Sequence, residues 1–253
     1  MSPVLELKAV GLAGRGQPRL DGISLTLQAG ERVALIGASG AGKSSLLAVA
    51  NGSLQPTRGV VRWFGEPAPR SRRRRRLQQR RIGTLWQDLR LVEALTVQQN
   101  LNCGCLGRWS PWRAVANLLG PVDTAAGREV LRRLDLDEGL LPLPVQRLSG
   151  GQRQRVAIGR LLRQQAELLL VDEPLAALDP PRARSVLALL MDLAGDGATL
   201  LLSLHRPDWL GGFDRVIGLE GGRCVLDADP ASLAPAALER FYEAGVGEPA
   251  ETA

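Results

Sequence analysis

Three cysteines and one histidine are all that this 253-residue chain offers toward metal or disulfide scaffolds. Cys103 and Cys105 stand too close in sequence to staple a useful loop, and one histidine is too few for a Cys/His metal cluster. No stretch reaches the roughly 18 consecutive apolar residues of a membrane-spanning helix. The opening MSPVLELKAV carries Glu6 and no basic flank before an apolar block, unlike a secretory signal. Together these shortages lead us to expect a soluble chain in a reducing, cytoplasmic compartment. Lysine is scarcer still relative to its partner residue: of 32 basic residues only Lys8 and Lys43 are lysines. A chain that uses arginine almost everywhere keeps a compact, flexible ammonium at position 43, which marks Lys43 as doing something a planar guanidinium does not.

What is present is the composition of a globular domain, 45% hydrophobic and 23% charged, long enough for one large domain or one domain with a subdomain. The formal net charge is +6, but residues 70–81 (RSRRRRRLQQRR) hold eight arginines and no acid, which leaves a net −2 elsewhere. The chain is therefore a near-neutral domain with one basic patch, not a nucleic-acid footprint spread over a face. Three readings of the run stay open: a solvated helix face, contact with anionic lipid head groups, and RNA binding.

Leu5–Val10, Ile23–Leu27 and Val60–Phe64 alternate apolar and polar residues like half-buried antiparallel strands. Val33–Ile36, Leu168–Val171, Thr199–Leu204 and Val216–Leu219 are short continuous apolar runs, suited to strands buried on both faces. Helical stretches separate them, clearest at 43–51, 153–164 and 181–194, the last capped by Asp179, opened by Pro180 and ended by Gly195. The pattern predicts a mostly parallel sheet covered on both faces, with an inserted helical segment where residues 88–150 lack strand signals.

Gly37-Ala38-Ser39-Gly40-Ala41-Gly42-Lys43-Ser44 fits G-x-x-x-x-G-K-[ST] between a buried strand and a helix, the context that pattern requires. Its glycines let backbone N–H groups turn inward around phosphate oxygens, and the helix aims its positive end at them. Lys43 would neutralise the β- and γ-phosphates and Ser44 would complete the shell of a Mg²⁺ ion. Asp172 and Glu173 follow the buried run Leu168–Val171, where ligands of open α/β sheets sit. Asp172 suits the Mg²⁺ ion, and Glu173 suits a general base that polarises an attacking water.

Leu148-Ser149-Gly150-Gly151-Gln152 resembles the signature of the ATP-binding cassette (ABC) ATPases, and it lies upstream of the acidic strand as in that family. Asp179 matches the family's D-loop, Gln87 its Q-loop glutamine and His205 its switch histidine. The resemblance implies an α/β P-loop NTPase with a RecA-like, mostly parallel core, an antiparallel β subdomain and an inserted helical subdomain at about 88–152. It covers residues 1–228, with 229–253 as a short tail. By the same resemblance ATP and Mg²⁺ are the cofactors, with Ser44, Gln87 and Asp172 on the metal and Glu173, His205 and Gln87 at the chemistry. Two copies would then form an ATP-bound homodimer in which Ser149, Gly150, Gly151 and Gln152 of one chain close over the nucleotide of the other, and Asp179 links the two sites. One departure stands out: Gly11-Leu12-Ala13-Gly14-Arg15-Gly16 has no aromatic where the family stacks adenine, leaving Leu12 and Arg15 to substitute. Weaker adenine affinity and poorer ATP/GTP discrimination are the expectation.

Only 61 residues separate Gln87 from Ser149, too few for the coiled coils of DNA-repair cassettes, and neither a second cassette nor a fused membrane segment is present. The compact form is similar to importer subunits. Within these, residues 106–123 (LGRWSPWRAVANLLGPVD) and Leu202–Asp208 resemble the ATPases of phosphonate-class importers, which implies uptake of phosphonate or a related phosphorus oxyanion. Cassettes of metal, amino-acid, export or lipid-release systems, and soluble cassettes acting on nucleic acid, are the alternatives. The implied partners are integral membrane permease subunits and a solute-binding protein, with no nucleic acid, and the implied place is peripheral, on the cytoplasmic face of the inner membrane. Leu89, Leu91, Val92 and Leu95 could line the groove for a permease helix or fill the core. Trp109 and Trp112 could belong to that phosphonate-type insert or simply pack the helical subdomain.

Overall fold

A computed structural model of the chain describes residues 3–69, 71–176, 178–195, 197–234, 238 and 241. Arg70 and most of the tail expected at 229–253 lie outside the described residues. The chain begins with β1 (Pro3–Leu12), β2 (Leu20–Gln28) and β3 (Arg32–Ile36), then α1 (Lys43–Ala50). β4 (Arg58–Trp63), β5 (Glu66–Pro67), α2 (Arg72–Gln79) and β6 (Ile82–Leu85) follow. A helical stretch comes next: α3 (Val97–Cys103), α4 (Pro111–Leu119), α5 (Thr124–Arg133) and α6 (Gly150–Gln164). β7 (Leu168–Val171), α7 (Pro180–Gly195), β8 (Thr199–Ser203), β9 (Arg215–Glu220) and β10 (Arg223–Ala228) complete the named strands and α-helices.

The strands form two sheets. The larger has the order β10-β9-β3-β8-β7-β6 and is parallel except for its antiparallel edge β10; the smaller, β2-β1-β4-β5, is antiparallel. Period-two alternation explains why the central strands read as unbroken apolar runs. On β3, Val33 and Leu35 face a core shared with the antiparallel sheet, while Ala34 and Ile36 face the opposite core beneath α6 and α7. On β7, Leu168 and Leu170 join the first core and Leu169 and Val171 the second. A third cluster, with Val97, Leu101, Leu131, Val145 and Val156 among its members, holds the helical insert together.

Three strands escape sequence pattern, the two-residue β5 together with β6 and β10. β6 is only four residues with a glycine inside, and β10 carries Arg223 and Asp227 and is nowhere buried, as an edge strand can afford. Between residues 88 and 150, the described residues hold one isolated bridge, Thr96 to Pro144, and no strand, as expected. Of the apolar residues after Gln87, Leu89 and Leu91 pack onto the cores and Val92 is exposed. Packing does not account for Trp112, which is 84% exposed; Trp109 is half-buried under the Arg113 guanidinium, 4.9 Å from its ring centre.

The link that matters for the site is Trp63. It is fully buried, and its Nε1 donates to the Ala50 carbonyl at 2.7 Å, tying the antiparallel sheet to the C-terminal end of α1. Gly52, with φ of 76°, lies so close that a Cβ there would stand 2.6 Å from the indole. Replacing Trp63 with alanine should cost about 3–5 kcal/mol in urea unfolding, whereas Trp63→Phe, which keeps most of the ring contacts, should cost clearly less.

Candidate active site

The carboxyl ends of β3, β7 and β8 meet, as ligand sites of open α/β sheets do. β3 delivers the loop Gly37–Gly42, and Gly37, Gly40 and Gly42 all have positive φ (152°, 79° and 105°). At Gly42 glycine is also required sterically, since a Cβ would lie 2.7 Å from the Arg19 carbonyl. α1 begins at Lys43 with no side-chain cap, so its first-turn amides are left for an external acceptor. Ser39 and Gly40 are exposed, Ala38 is half-buried and Ala41 is buried behind the loop. Ser44 is exposed at the helix start.

Lys43 is 4% exposed and folds back over its own loop. Its Nζ donates to the carbonyls of Gly37 (2.7 Å) and Ala38 (3.1 Å) and pairs with Glu173 Oε1 at 3.3 Å. The other Glu173 oxygen contacts His205 Nε2. Three residues far apart in sequence, Lys43, Glu173 and His205, are thereby brought into one chain of contacts. Glu173 sits in the left-handed region at φ 48°, a conformation that costs a non-glycine residue about 1–2 kcal/mol. Its N–H is satisfied by the Ser203 hydroxyl at 2.8 Å, and that same hydroxyl donates to Asp172 Oδ1 at 3.0 Å. Ser203 is fully buried and holds both carboxylate residues, yet the sequence reading gave it no role. The available signal was one hydroxyl at the end of the apolar run Thr199–Leu204.

Gln87 is exposed just past β6 and lines a cleft of about 560 Å³ with Ser149, Gly150, Gly151, Gln152 and Glu173. Ser149 and Gln152 form a reciprocal cap on α6: Ser149 Oγ accepts from the Gln152 N–H, and Gln152 Oε1 accepts from the Ser149 N–H. Gln152 thus acts locally, while the Ser149 O–H proton and the Gly150 and Gly151 amides remain available to an anion. Asp179 caps α7 by accepting from the Arg182 N–H at 3.0 Å and pairs with the Arg182 guanidinium. A second residue hidden from pattern is Gln154 on α6, buried, whose Nε2 donates to the carbonyl of Pro174 next to Glu173. It reads as an ordinary polar helix position, and nothing in the sequence distinguishes it.

Ser44, Asp172 and Gln87 are hard oxygen donors of the kind Mg²⁺ takes with substrate phosphates. Among the described residues no cluster of three or more His, Cys, Asp or Glu could hold a metal by itself. That suits an ion which draws much of its shell from phosphate and water, and Asp172 Oδ1 is already oriented by Ser203. Leu12 is buried at the end of β1 and cannot present a stacking face for a base; Arg15 is exposed.

The model of the ABC transporter family matches residues 20–176. The "Phosphonates import ATP-binding protein PhnC 2" of Pseudomonas aeruginosa is 46% identical over 90% of this chain and 86% of its own length. The PhnC protein of Anaeromyxobacter dehalogenans is 43% identical over 98% of this chain, which spans half of that relative. Among solved structures, the ATP-binding cassette MJ0796, dimeric and bound to ADP and Pi after hydrolysis, superposes with a TM-score of 0.77 at 27% identity, covering 90% of this chain and 100% of the other. CbiO1 of Clostridium perfringens, part of the transporter complex cbiONQ, gives 0.76 at 26% identity over 97% and 96%. With the phosphate loop, the acidic strand end and the capped signature helix in one fold, the chain belongs to the ABC transporter family, as one of its ATP-binding ATPase subunits.

Proposed function

We propose that this ATPase energises import of phosphonate or a related phosphorus oxyanion. In this reading two copies pair around ATP and work against integral membrane permease subunits that receive solute from a solute-binding protein. The relatives named for phosphonate import, at 43–46% identity along nearly the whole chain, support the solute class. No helix among the described residues is long and apolar enough to cross a membrane; in this reading the transport path belongs to other subunits and the chain attaches to them peripherally, on the cytoplasmic face. The ATPase unit runs over residues 1–228, with the helical subdomain inserted at about 88–152.

The observation that carries the chemistry is the contact chain Lys43–Glu173–His205 at the strand ends. The triphosphate competes with Glu173 and two carbonyls for the Lys43 ammonium, so binding frees the Glu173 carboxylate at the moment a base is needed. The loop amides from Gly37 to Ser44 and Lys43 grip the phosphates. Mg²⁺, held by Ser44, Asp172 and Gln87, supplies charge neutralisation on the phosphate oxygens when bound. Glu173 orients the attacking water and takes its proton, while His205, against the other carboxylate oxygen, fixes the Glu173 side chain and faces the γ-phosphate. Ser203 is a positioning residue that sets Asp172 and Glu173 relative to each other. Ser149, Gly150 and Gly151 act on the nucleotide of the partner copy, and Asp179 links the two sites.

Glu173→Gln should keep ATP binding, lose at least about a hundredfold in hydrolysis and accumulate as a dimer on gel filtration with ATP; turnover at the wild-type rate would remove the base assignment. Lys43→Ala should weaken ATP binding at least about tenfold in calorimetry. Ser203→Ala should lower kcat about tenfold with little change in ATP affinity, and Ser203→Thr should restore most of it. Without an aromatic platform, ATP and GTP should bind within about tenfold of one another. For the solute, loss of phosphonate-dependent growth in a strain carrying Glu173→Gln, with growth on inorganic phosphate intact, is the expected result.

A further inference from the structure

Helix α4 has its polarity reversed. It is anchored to the protein by polar contacts: Asn117, 2% exposed, accepts from Asn102 Nδ2 at 2.8 Å, its carbonyl accepts from Gln99 Nε2 at 2.9 Å, and Arg113 pairs with Asp123. Its apolar side chains point the other way. Trp112 and Leu119 are each 84% exposed, Leu118 59% and Val115 48%. The spacing of 112, 115 and 119 sets three of them on one helix face. A helix facing water carries the opposite arrangement, and an apolar ridge of this kind marks a surface that meets something less polar than water.

The helix α2 supplies the second observation. Arg75, Gln78 and Gln79 are its half-buried side, with Gln79 donating to the Asn51 carbonyl and Gln78 to Glu66. Arg72, Arg73, Arg74 and Arg76 are exposed, and no ion pair is found for them among the described residues; Leu77 is 49% exposed beside them. The two helices adjoin through the loop that leads into α4. Gly107 lies so close to α2 that a Cβ on it would stand 2.9 Å from Arg80 Cβ, and its neighbour Leu106 is 44% exposed. The loop that leads into the apolar ridge of α4 thus passes the C-terminal end of the arginine-rich helix α2.

We propose that α2 and α4 form a contact surface for an anionic lipid bilayer, with Arg72, Arg73, Arg74 and Arg76 on headgroup phosphates and Trp112, Val115 and Leu119 at the boundary between headgroups and acyl chains. Stable attachment to a bilayer takes two signals, basic charge and apolar insertion, and this chain exposes both on helices joined through the Gly107–Arg80 approach. RNA would match the arginines and leave the apolar ridge in water. A protein groove would cover the ridge, and nothing in it would require four arginines without acidic partners. This surface is separate from the nucleotide site and does not depend on which solute is carried.

Flotation of the full chain with vesicles tests it. The wild type should bind vesicles of phosphatidylethanolamine and phosphatidylglycerol, release with added salt, and ignore pure phosphatidylcholine. Combined Arg→Gln changes at 72, 73, 74 and 76 should weaken binding on the order of a hundredfold, a few-fold per arginine. L119E alone should weaken it at least about tenfold with every arginine intact. Trp112 emission should shift to the blue on binding, a signal lost in W112F. Thermal unfolding and ATP hydrolysis of the variants should match the wild type, which separates failure of this surface from failure of the ATPase reading. Absence of anionic-vesicle binding, equal binding to neutral vesicles, or insensitivity to L119E would overturn the proposal. So would RNA binding tighter than vesicle binding, or a detergent-solubilised permease shielding Trp112 without lipid.

Discussion

One ammonium group organises the centre of this molecule. Lys43 could reach solvent, yet it is drawn down onto two carbonyls of its own loop and onto Glu173. For a side chain only 4% exposed an unpaired cation would be costly, and the acidic strand end lies where the loop can reach it. The neighbouring order of β3, β8 and β7 makes that pairing possible by bringing together residues far apart in sequence. A charge-balanced resting site also means that nucleotide enters by exchanging one anion for another around Lys43, not by filling an electrostatically bare hole.

The parts of the fold that could be read from sequence are those where one physical rule dominates. β3, β7 and β8 are sandwiched between two cores, so alternate residues on both faces are apolar and the runs stand out. The phosphate loop is legible because its glycines meet steric demands that no other residue satisfies, as at Gly42. Ser203 and Gln154 were not legible, because their importance lies in whom they touch: two carboxylate residues in one case, the Pro174 carbonyl in the other. β10 was hidden by its exposed edge position, where burial places few demands on composition, and β6 by being only four residues long with a glycine inside. For Trp112 the sequence left two readings, a phosphonate-type insert or packing of the helical subdomain, and packing does not hold because the ring is exposed on a helix anchored by polar contacts.

The antiparallel sheet and the main sheet are clasped by a few specific groups as well as by shared apolar area. Trp63 reaches across to α1, and Arg215 on β9 bonds the Thr26 carbonyl, Glu31 and Asp227, spanning the start of one sheet and the edge of the other. The hydrogen-bonded Asp227 carboxylate is the largest influence holding the Arg215 guanidinium above its ordinary range, against the opposing effect of burial, and Glu31 adds in the same direction as Asp227.

The bond from Gln154 to the Pro174 carbonyl has a mechanical meaning. It joins the helix that carries Ser149 to the turn that carries Glu173, within a single copy. In the proposed pairing, a swing of that helix toward the partner's nucleotide would tug on the peptide beside its own Glu173. Each half of a paired assembly would feel its service to the other half at its own hydrolytic centre, which provides a physical route for keeping two ATP sites in step.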